Sequence, residues 1–300
     1  MLLSRIQTTQ TPTRILLSLR RAFGDTNIKL SNAATVTAAE LPVRAVVVAP
    51  HASALERHVL VGAESKANTR HPAIIVLQEW WGVNQTILAH AQRIANGTGA
   101  FAVVPDLYNG KVTADIEEAK HLMDNLDWKD ALEKLQRLAL HLQRPDEGSA
   151  SIYKDRKVAS IGFCMGGALS LAVTARMAEI KRPLNACISF YGTPSPSLID
   201  ITKIPATTPV QAHFGEKDDH FGFSDIKTAH RLAETWDLTV KELGGTHAHG
   251  FHTLESNVFV HKDLGHAFMN VDAKNHVFGG DIDKTWDKVF AFSVEHLKTV

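Results

Sequence analysis

Short runs of apolar and β-branched residues alternate with longer amphipathic stretches along most of this chain. The runs predict strands, which lie at 58–65, 73–82, 100–108, 157–163, 185–192, 209–215 and 238–243. Many of the stretches between them predict helices, because their apolar residues recur every three or four positions. Strands that alternate with helices build a mostly parallel sheet that helices cover on both faces. The sequence therefore predicts one α/β domain.

Two of the predicted helices show which face they bury. The helix at 128–143 has an apolar stripe made of Leu132, Leu135, Leu138 and Leu142. The helix at 281–297 has one made of Trp286, Val289, Phe290, Val294 and Leu297. One apolar stripe per helix is typical of a helix that packs against a sheet.

Charge and cysteine content exclude several classes of protein. Lysine plus arginine total 32, and aspartate plus glutamate also total 32, so we expect no nucleic-acid partner. No apolar run approaches the roughly 20 residues of a membrane helix, so we expect no membrane partner. The two cysteines, Cys164 and Cys187, do not form a disulfide framework, which favours a reducing compartment.

The amino-terminal segment differs in composition from the rest. Within residues 1–30, the stretch before Asp25 contains four arginines and no acidic residue. An arginine-rich, hydroxylated, acid-poor start is typical of an organelle transit peptide, and we expect a mitochondrial protein. A disordered basic tail is the alternative, with another organelle or the cytoplasm as the location. Residues 31–55 are interpreted as a linker, and 56–300 as the folded domain.

Cys164 lies where a predicted strand gives way to a predicted helix, in Gly162-Phe163-Cys164-Met165-Gly166. A nucleophile between glycines at such a turn forms a nucleophile elbow, which lifts the side chain above the carboxyl edge of the sheet. The glycines are needed because the turn is too tight for a Cβ at either position. Cys164 is therefore the candidate nucleophile, whereas Cys187 has no such turn and is expected in the core.

A cysteine nucleophile needs a base and a group that orients the base. In this class of sheet the expected chain order is nucleophile, acid, histidine. Asp218 and Asp219 follow the strand at 209–215, and both are candidates for the acid. A further strand is predicted at the start of "SNVFVHKDLGHAFMN", residues 256–270. His266 is the candidate base because it follows this strand and Gly265, although the chain contains 16 histidines.

At these residues the chain resembles the dienelactone hydrolase family. The similarity covers most of residues 56–300, and four motifs occur in the family's order. They are "QEWWGVN" at 78–84, "PDLY" at 105–108, "GFCMGG" at 162–167 and "GHAFMN" at 265–270. The resemblance implies an α/β-hydrolase fold with a mostly parallel central sheet in a single domain.

The resemblance also implies a role for individual residues. Cys164, Asp218 and His266 would form a catalytic triad, and Glu79 would control the thiol. The backbone N–H groups of Trp80 and Met165 would form the oxyanion hole. The spacing from Gly215 favours Asp218, whereas counting back from "DHF" selects Asp219.

The sequence departs from the family at the positions that bind the substrate carboxylate. Members that hydrolyse dienelactone hold this carboxylate with arginines, and the matching stretches here offer Lys111 and Asn270. Neither provides the two parallel hydrogen bonds of a guanidinium. An uncharged or larger substrate is therefore expected. It would contact a wall of aromatic side chains, although these side chains could instead pack in the core. The wall would comprise Trp80, Trp81, Tyr108 and Tyr191.

Three histidines lie close together at His247, His249 and His252. Because no cysteine or carboxylate supports them and glycines surround them, we expect no metal there and no cofactor. The sequence thus predicts a monomeric or homodimeric cysteine hydrolase of small esters or lactones. A thioesterase, a general carboxylesterase and a catalytically silent scaffold that binds a ligand are the alternatives.

Overall fold

One sheet of eight strands organises the computed structural model, which describes residues 41–51, 71–143, 156–243, 254–270 and 282–298. Its spatial order is β1-β3-β2-β4-β5-β6-β8-β7, and β1 runs antiparallel to β3 while the other pairs are parallel. The strands are β1 (Ala45–Val48), β2 (Ala73–Leu77), β3 (Phe101–Pro105), β4 (Val158–Phe163), β5 (Ala186–Phe190), β6 (Val210–Gly215), β7 (Val240–Leu243) and β8 (Asn257–His261).

Helices cover both faces of this sheet, as the alternating sequence pattern predicts. They are α1 (Gln85–Thr98), α2 (Ile116–Asp124), α3 (Trp128–Gln143), α4 (Met165–Glu179), α5 (Ile204–Thr207), α6 (Ile226–Thr235) and α7 (Ile282–Leu297). α1 and α7 bury Ile87 and Trp286 in one apolar cluster, and α3 and α4 bury Leu135 and Leu171 in the other. None of these helices is both long and apolar enough to cross a membrane.

The central strands are buried on both sides, which explains their continuous apolar runs. Along β2, Ile74 and Val76 belong to one cluster, while Ile75 and Leu77 belong to the other. The leucine stripe of α3 is buried as predicted. Cys187 is fully buried in β5, so its assignment to the core is confirmed.

Local sequence sets the ends of α1. The Asn84 side chain accepts a hydrogen bond from the Ile87 N–H at 3.0 Å, which satisfies one of the unpaired donors of the first turn. Gly99 ends the helix with φ at 72°, and its N–H bonds to the Ala95 carbonyl. A left-handed residue at this position is tolerated best by glycine.

The linker interpretation of residues 31–55 needs a correction at residues 45–48. These residues form β1, which pairs with β3 from Ala45 opposite Pro105 to Val48 opposite Ala102. The run "AVVV" is only four residues long, and its pairing with β3 identifies it as an edge strand. The strand predicted at 58–65 and the transit peptide predicted at 1–30 lie outside the described residues.

Candidate active site

Four chemically active side chains follow the carboxyl ends of four parallel strands. Glu79 follows β2, Cys164 follows β4, Asp218 follows β6 and His266 follows β8. In a parallel sheet these ends share one edge, which is where ligands bind in open α/β folds. The parallel sheet therefore brings together residues that are up to 187 positions apart in the chain, from Glu79 to His266.

Cys164 occupies a strained turn between β4 and α4. Its backbone has φ at 54° and ψ at −118°, a conformation that costs a non-glycine residue on the order of 1–3 kcal/mol. A Cβ at Gly162 would overlap the Gly166 carbonyl, and one at Gly166 would overlap the Leu77 carbonyl. The predicted need for glycine on both sides of Cys164 is thus explained by backbone packing.

His266 connects the thiol to a carboxylate. Its Nε2 lies 3.2 Å from the Cys164 Sγ, and its Nδ1 lies 2.8 Å from the Asp218 Oδ2. The Ser224 hydroxyl is a further neighbour of the same Nδ1, at 3.2 Å. A thiol, an imidazole and a carboxylate in this order can transfer a proton away from sulfur as a new bond forms.

The structure distinguishes the two neighbouring aspartates. The Asp218 side chain is buried and contacts His266, whereas the Asp219 side chain is 88% exposed and lies 3.5 Å from His220. Burial alone would raise the pKa of Asp218, but hydrogen bonds from His220 and His266 outweigh it and hold that pKa well below its usual range. Asp218 is therefore a carboxylate at neutral pH.

Glu79 is held by two neutral donors. The Tyr191 hydroxyl donates to Oε1 at 3.3 Å, and the Asn270 amide donates to Oε2 at 2.6 Å. Burial raises the pKa of Glu79 to about 7, although both hydrogen bonds act in the opposite direction. Glu79 therefore changes charge near neutral pH.

The thiol is stabilised in its protonated form. Burial is the largest cause of the raised pKa of Cys164, and the negative charges of Glu79 and Asp218 raise it further. The Met165 N–H, at the start of α4, bonds to the sulfur and acts in the opposite direction. Because only the thiolate is a strong nucleophile, Cys164 is poorly reactive in this state.

The other predicted site residues lie in three different environments. Trp80 and Trp81 are partly buried and pack edge to face at 5.1 Å, directly after Glu79. Tyr108 is buried, and its hydroxyl lies 3.2 Å from the Met165 sulfur. Lys111 is exposed. Tyr191 and Asn270, which are expected to contact substrate, both form a hydrogen bond with Glu79.

Sequence analysis missed two residues of this site, His220 and Ser224. The His220 N–H and Nδ1 both bond to the Asp218 Oδ1, at 3.1 Å and 2.9 Å. The ring of His220 lies 4.0 Å from that of His266, measured between centroids. The only sequence signal was that His220 follows Asp218 by two residues. Many surface histidines lie as close to an aspartate by chance, so this signal is weak.

Asp218, His220 and His266 are also the candidate ligands for a metal ion. One donor atom from each lies within 4.8 Å of the others. The two histidines each place Nδ1 within donating distance of an Asp218 oxygen, so these atoms already form hydrogen bonds with one another. The predicted absence of a metal at His247, His249 and His252 concerns residues outside the described ranges.

An open cavity of about 510 Å³ lies beside this cluster. Phe223 lines it, and the Phe223 ring is 6.4 Å from that of His266, between centroids. Thr193 also lines it and follows Gly192, where a Cβ would overlap the Cys164 carbonyl. Most of the remaining lining is apolar or hydroxylated: Leu126, Trp128, Pro194, Ser195, Ser197 and Leu198, with Asp127 and Lys129.

Known proteins resemble this chain over most of its length. A family model described as "Dienelactone hydrolase family" matches residues 58–296. "Protein usf" from Aquifex pyrophilus is 25% identical over 230 residues, which are 75% of this chain and 89% of that protein. A "Putative carboxymethylenebutenolidase" from Aquifex aeolicus is 27% identical over 192 residues, or 59% of this chain and 76% of that protein.

Solved structures show the same fold. The crystal structure of a "Putative Dienelactone Hydrolase" from Klebsiella pneumoniae aligns with a TM-score of 0.58 and 20% sequence identity. The alignment covers 84% of this chain and 92% of that one. At this identity the likeness concerns the fold, which is that of the α/β-hydrolases.

Proposed function

Because this chain belongs to the dienelactone hydrolase family and is an ester or lactone hydrolase, we propose that Cys164 is its nucleophile. His266 is the base, and Asp218 orients it. The observation that carries the proposal is the unbroken contact from Cys164 Sγ through His266 to Asp218, at 3.2 Å and 2.8 Å.

The reaction proceeds through an acyl-enzyme. His266 Nε2 takes the thiol proton as the sulfur attacks the acyl carbon, and the carbonyl electron pair moves to oxygen. When the bond to the leaving group breaks, its oxygen takes the proton from His266. Water then attacks the thioester while His266 removes a water proton, which returns to Cys164 as the acid leaves.

Backbone N–H groups stabilise the oxyanion in this proposal. The Met165 N–H already bonds to the sulfur, at the positive end of α4. The first turn of α4 packs against the carbonyls of Leu77 and Gln78, just before Trp80, which brings the second proposed donor to the same edge. One such donor commonly contributes about 3 kcal/mol to the transition state.

Glu79 controls the thiol in the resting enzyme. Its negative charge opposes the formation of a second negative charge on Cys164. A protonated thiol resists oxidation, because oxidation follows thiolate character. Asn270 and Tyr191 hold Glu79 in this position.

The substrate is an uncharged ester or lactone. The cavity beside His266 is mainly apolar, and Lys129 and Asp127 offset each other in charge at its lining. Asn270 is engaged with Glu79 and Lys111 is exposed, so neither supports recognition of a substrate carboxylate. A thioester has the same neutral acyl group and is the second candidate.

A substrate panel with a cysteine control tests the proposal. Short p-nitrophenyl esters, neutral lactones and acyl thioesters should be assayed with wild type, Cys164→Ala and Cys187→Ala. We expect Cys164→Ala to lose turnover by at least about a thousandfold, while Cys187→Ala keeps it. Mass spectrometry of rapidly quenched wild type should locate the acyl group on Cys164. Turnover retained by Cys164→Ala would refute the assignment.

A further inference from the structure

Thr193 carries a buried hydroxyl without a hydrogen bond. It lies in the connection between β5 and α5 and lines the cavity of about 510 Å³ beside the proposed triad. Its Oγ1 is buried and has no hydrogen-bond partner in the part of the chain that the structure describes. A buried hydroxyl without a partner costs free energy, because its hydrogen bonds to water are lost and not replaced. A ligand that supplies an acceptor would recover this loss.

Other hydroxyls around Thr193 already have partners. Ser195 and Ser197, which also line the cavity, bond to each other at 2.8 Å. Ser189 donates to the Gly192 carbonyl at 2.8 Å, which holds the turn that precedes Thr193. Thr193 therefore differs from these neighbours, because its hydroxyl is available to another molecule.

Thr193 lies close to the proposed nucleophile. A Cβ at Gly192, the residue before it, would lie 2.1 Å from the Cys164 carbonyl oxygen. Consecutive Cα atoms are about 3.8 Å apart, so the Cα of Thr193 lies within roughly 7–8 Å of that oxygen. A group attached to an acyl carbon on Cys164 can therefore reach Thr193 within a few bonds.

The strand order determines which part of a substrate faces Thr193. β4, which leads to Cys164, lies between β2 and β5 in the sheet. The proposed oxyanion donor Trp80 follows β2, whereas Thr193 follows β5. A carbonyl oxygen held on the β2 side leaves the acyl chain and the leaving group on the side of β5 and the cavity. Thr193 therefore faces one of these two substituents.

Rotation about a single bond turns the hydroxyl towards the cavity. Thr193 as a whole is only partly buried, although its Oγ1 is buried. Steps of about 120° around the Cα–Cβ bond exchange the positions of the hydroxyl, the methyl group and the hydrogen. Because this rotation breaks no hydrogen bond to the described residues, it has a low cost.

We propose that Thr193 is a specificity-determining residue whose hydroxyl donates a hydrogen bond to a neutral oxygen near the scissile carbonyl. This inference rests on the proposed function, because it places the acyl carbon on Cys164. The substrate class is then an ester or lactone with an ether, hydroxyl or keto oxygen within a few bonds of the carbonyl. The rest of the substrate is apolar and packs against Leu126, Trp128 and Leu198, which line the same cavity.

Matched pairs of substrates test this role of Thr193. p-Nitrophenyl methoxyacetate and p-nitrophenyl butyrate differ by one ether oxygen in place of a methylene in the acyl chain. 2-Methoxyethyl acetate and butyl acetate differ in the same way in the alcohol. kcat/KM should be measured for all four with wild type and with Thr193→Val, which replaces the hydroxyl with a methyl group. The ratio within each pair, compared between the two proteins, cancels the intrinsic reactivity of the esters.

We expect Thr193→Val to reduce the preference for the ether-containing ester by about fivefold in at least one pair. The pair that responds identifies whether the acyl chain or the leaving group contacts Thr193. Thr193→Ser keeps the hydroxyl and should keep the preference. Thr235→Val is the remote control, since Thr235 is exposed in α6 and bonds to the Arg231 carbonyl at 2.7 Å, and it should change neither ratio.

Thermal melts separate recognition of substrate from a structural role. Thr193→Val removes no hydrogen bond to the described residues, so its Tm should not fall below that of wild type. A merely structural role would lower the Tm and reduce kcat/KM equally for both members of a pair.

The outcomes are distinct. Equal ratios for wild type and Thr193→Val in every pair that wild type hydrolyses would overturn the proposed role of Thr193. Loss of the preference in Thr193→Ser would do the same. Failure of the proposed function looks different, because wild type would then hydrolyse no member of either pair or Cys164→Ala would remain active on them.

Discussion

Glu79 and Cys164 are two acidic groups whose charges disfavour each other. Glu79 has a pKa near 7 because it is buried, and its charge contributes to the raised pKa of Cys164. Tyr191 and Asn270 supply hydrogen bonds without a compensating positive charge. At the residue scale, electrostatic repulsion and burial together therefore keep the thiol of Cys164, the proposed nucleophile, protonated and poorly reactive.

Glu79→Gln should make the resting thiol more reactive. Removing the carboxylate lowers the proton affinity of Cys164, so alkylation of the free protein by iodoacetamide should become faster at pH 7.5. The rate should be followed against pH with Cys164→Ala as the blank. A rate that falls in Glu79→Gln would show that Glu79 promotes the thiolate, contrary to this account.

The same substitution should change stability with pH. Glu79 binds its proton more tightly when folded than when unfolded, with pKa values of about 7 and 4.5. This stabilisation is fully present below pH 4.5 and is lost as the pH rises through 7. Wild type loses this stabilisation as the pH rises, and Glu79→Gln does not. The free energy of unfolding of Glu79→Gln minus that of wild type should therefore increase from pH 5 to pH 8, by about 3 kcal/mol at most. Urea titrations at both pH values measure this difference.

At the element scale, the contact between β2 and the first turn of α4 determines the site. β2 and β4 pair in parallel register with Leu77 opposite Gly162, so the segment before Glu79 runs beside the Cys164 turn. Gly166 permits this approach, because a Cβ there would overlap the carbonyl of Leu77 and crowd that of Gln78. The distance between the thiol and Glu79 thus depends on a missing side chain.

Gly166→Ala should separate these two elements. Its Cβ meets backbone atoms, which cannot rotate away as a side chain could, so we expect a loss of about 2–4 kcal/mol in the free energy of unfolding. Gly265→Ala is a suitable comparison, since its Cβ would have an ordinary contact 3.9 Å from the Lys217 carbonyl. Urea denaturation of both variants should show a clear difference, and equal midpoints would contradict the packing argument.

At the scale of the whole molecule, stability in acid depends on a buried histidine pair. His213 in β6 and His261 in β8 face each other at 3.1 Å beneath the site. Burial lowers the pKa of both, and that of His261 falls to about 3 from 6.5. In this pH range the two histidines bind protons in the unfolded chain but stay neutral in the folded protein. The free energy of unfolding therefore decreases as the pH falls from 6.5 towards 3.

Replacing both histidines should flatten this pH dependence. We expect the double variant His213→Phe, His261→Phe to lose less free energy of unfolding than wild type between pH 6.5 and 4.5, by about 1.4 kcal/mol per pH unit for each histidine. Changing both together avoids a buried polar atom without its partner. The exposed His230→Gln is the control. Parallel stability curves for wild type and the double variant would exclude the pair as the source.

Local patterns in the sequence determined much of this protein. Continuous apolar runs predicted the buried central strands, because both faces of a parallel sheet are covered. Glycines around Cys164 predicted the turn that presents it, and the resemblance to dienelactone hydrolases supplied Asp218, His266 and Glu79. These features can be predicted because each depends on adjacent residues or on a short motif in the sequence. β1 was missed because an edge strand is defined by its partner, not by its own four residues.

Tertiary structure alone decided how the site residues pair. Asp218 and Asp219 are adjacent in the sequence, and only the fold buries one against His266 while exposing the other. Asn270 bonds to Glu79 across 191 positions, and no local pattern reports a contact of that separation. His220 is only two positions from Asp218, but the fold alone shows that the carboxylate that it contacts is the one that also faces His266. Periodicity describes how a segment meets the core, whereas a shared carboxylate depends on where separate strands end in space.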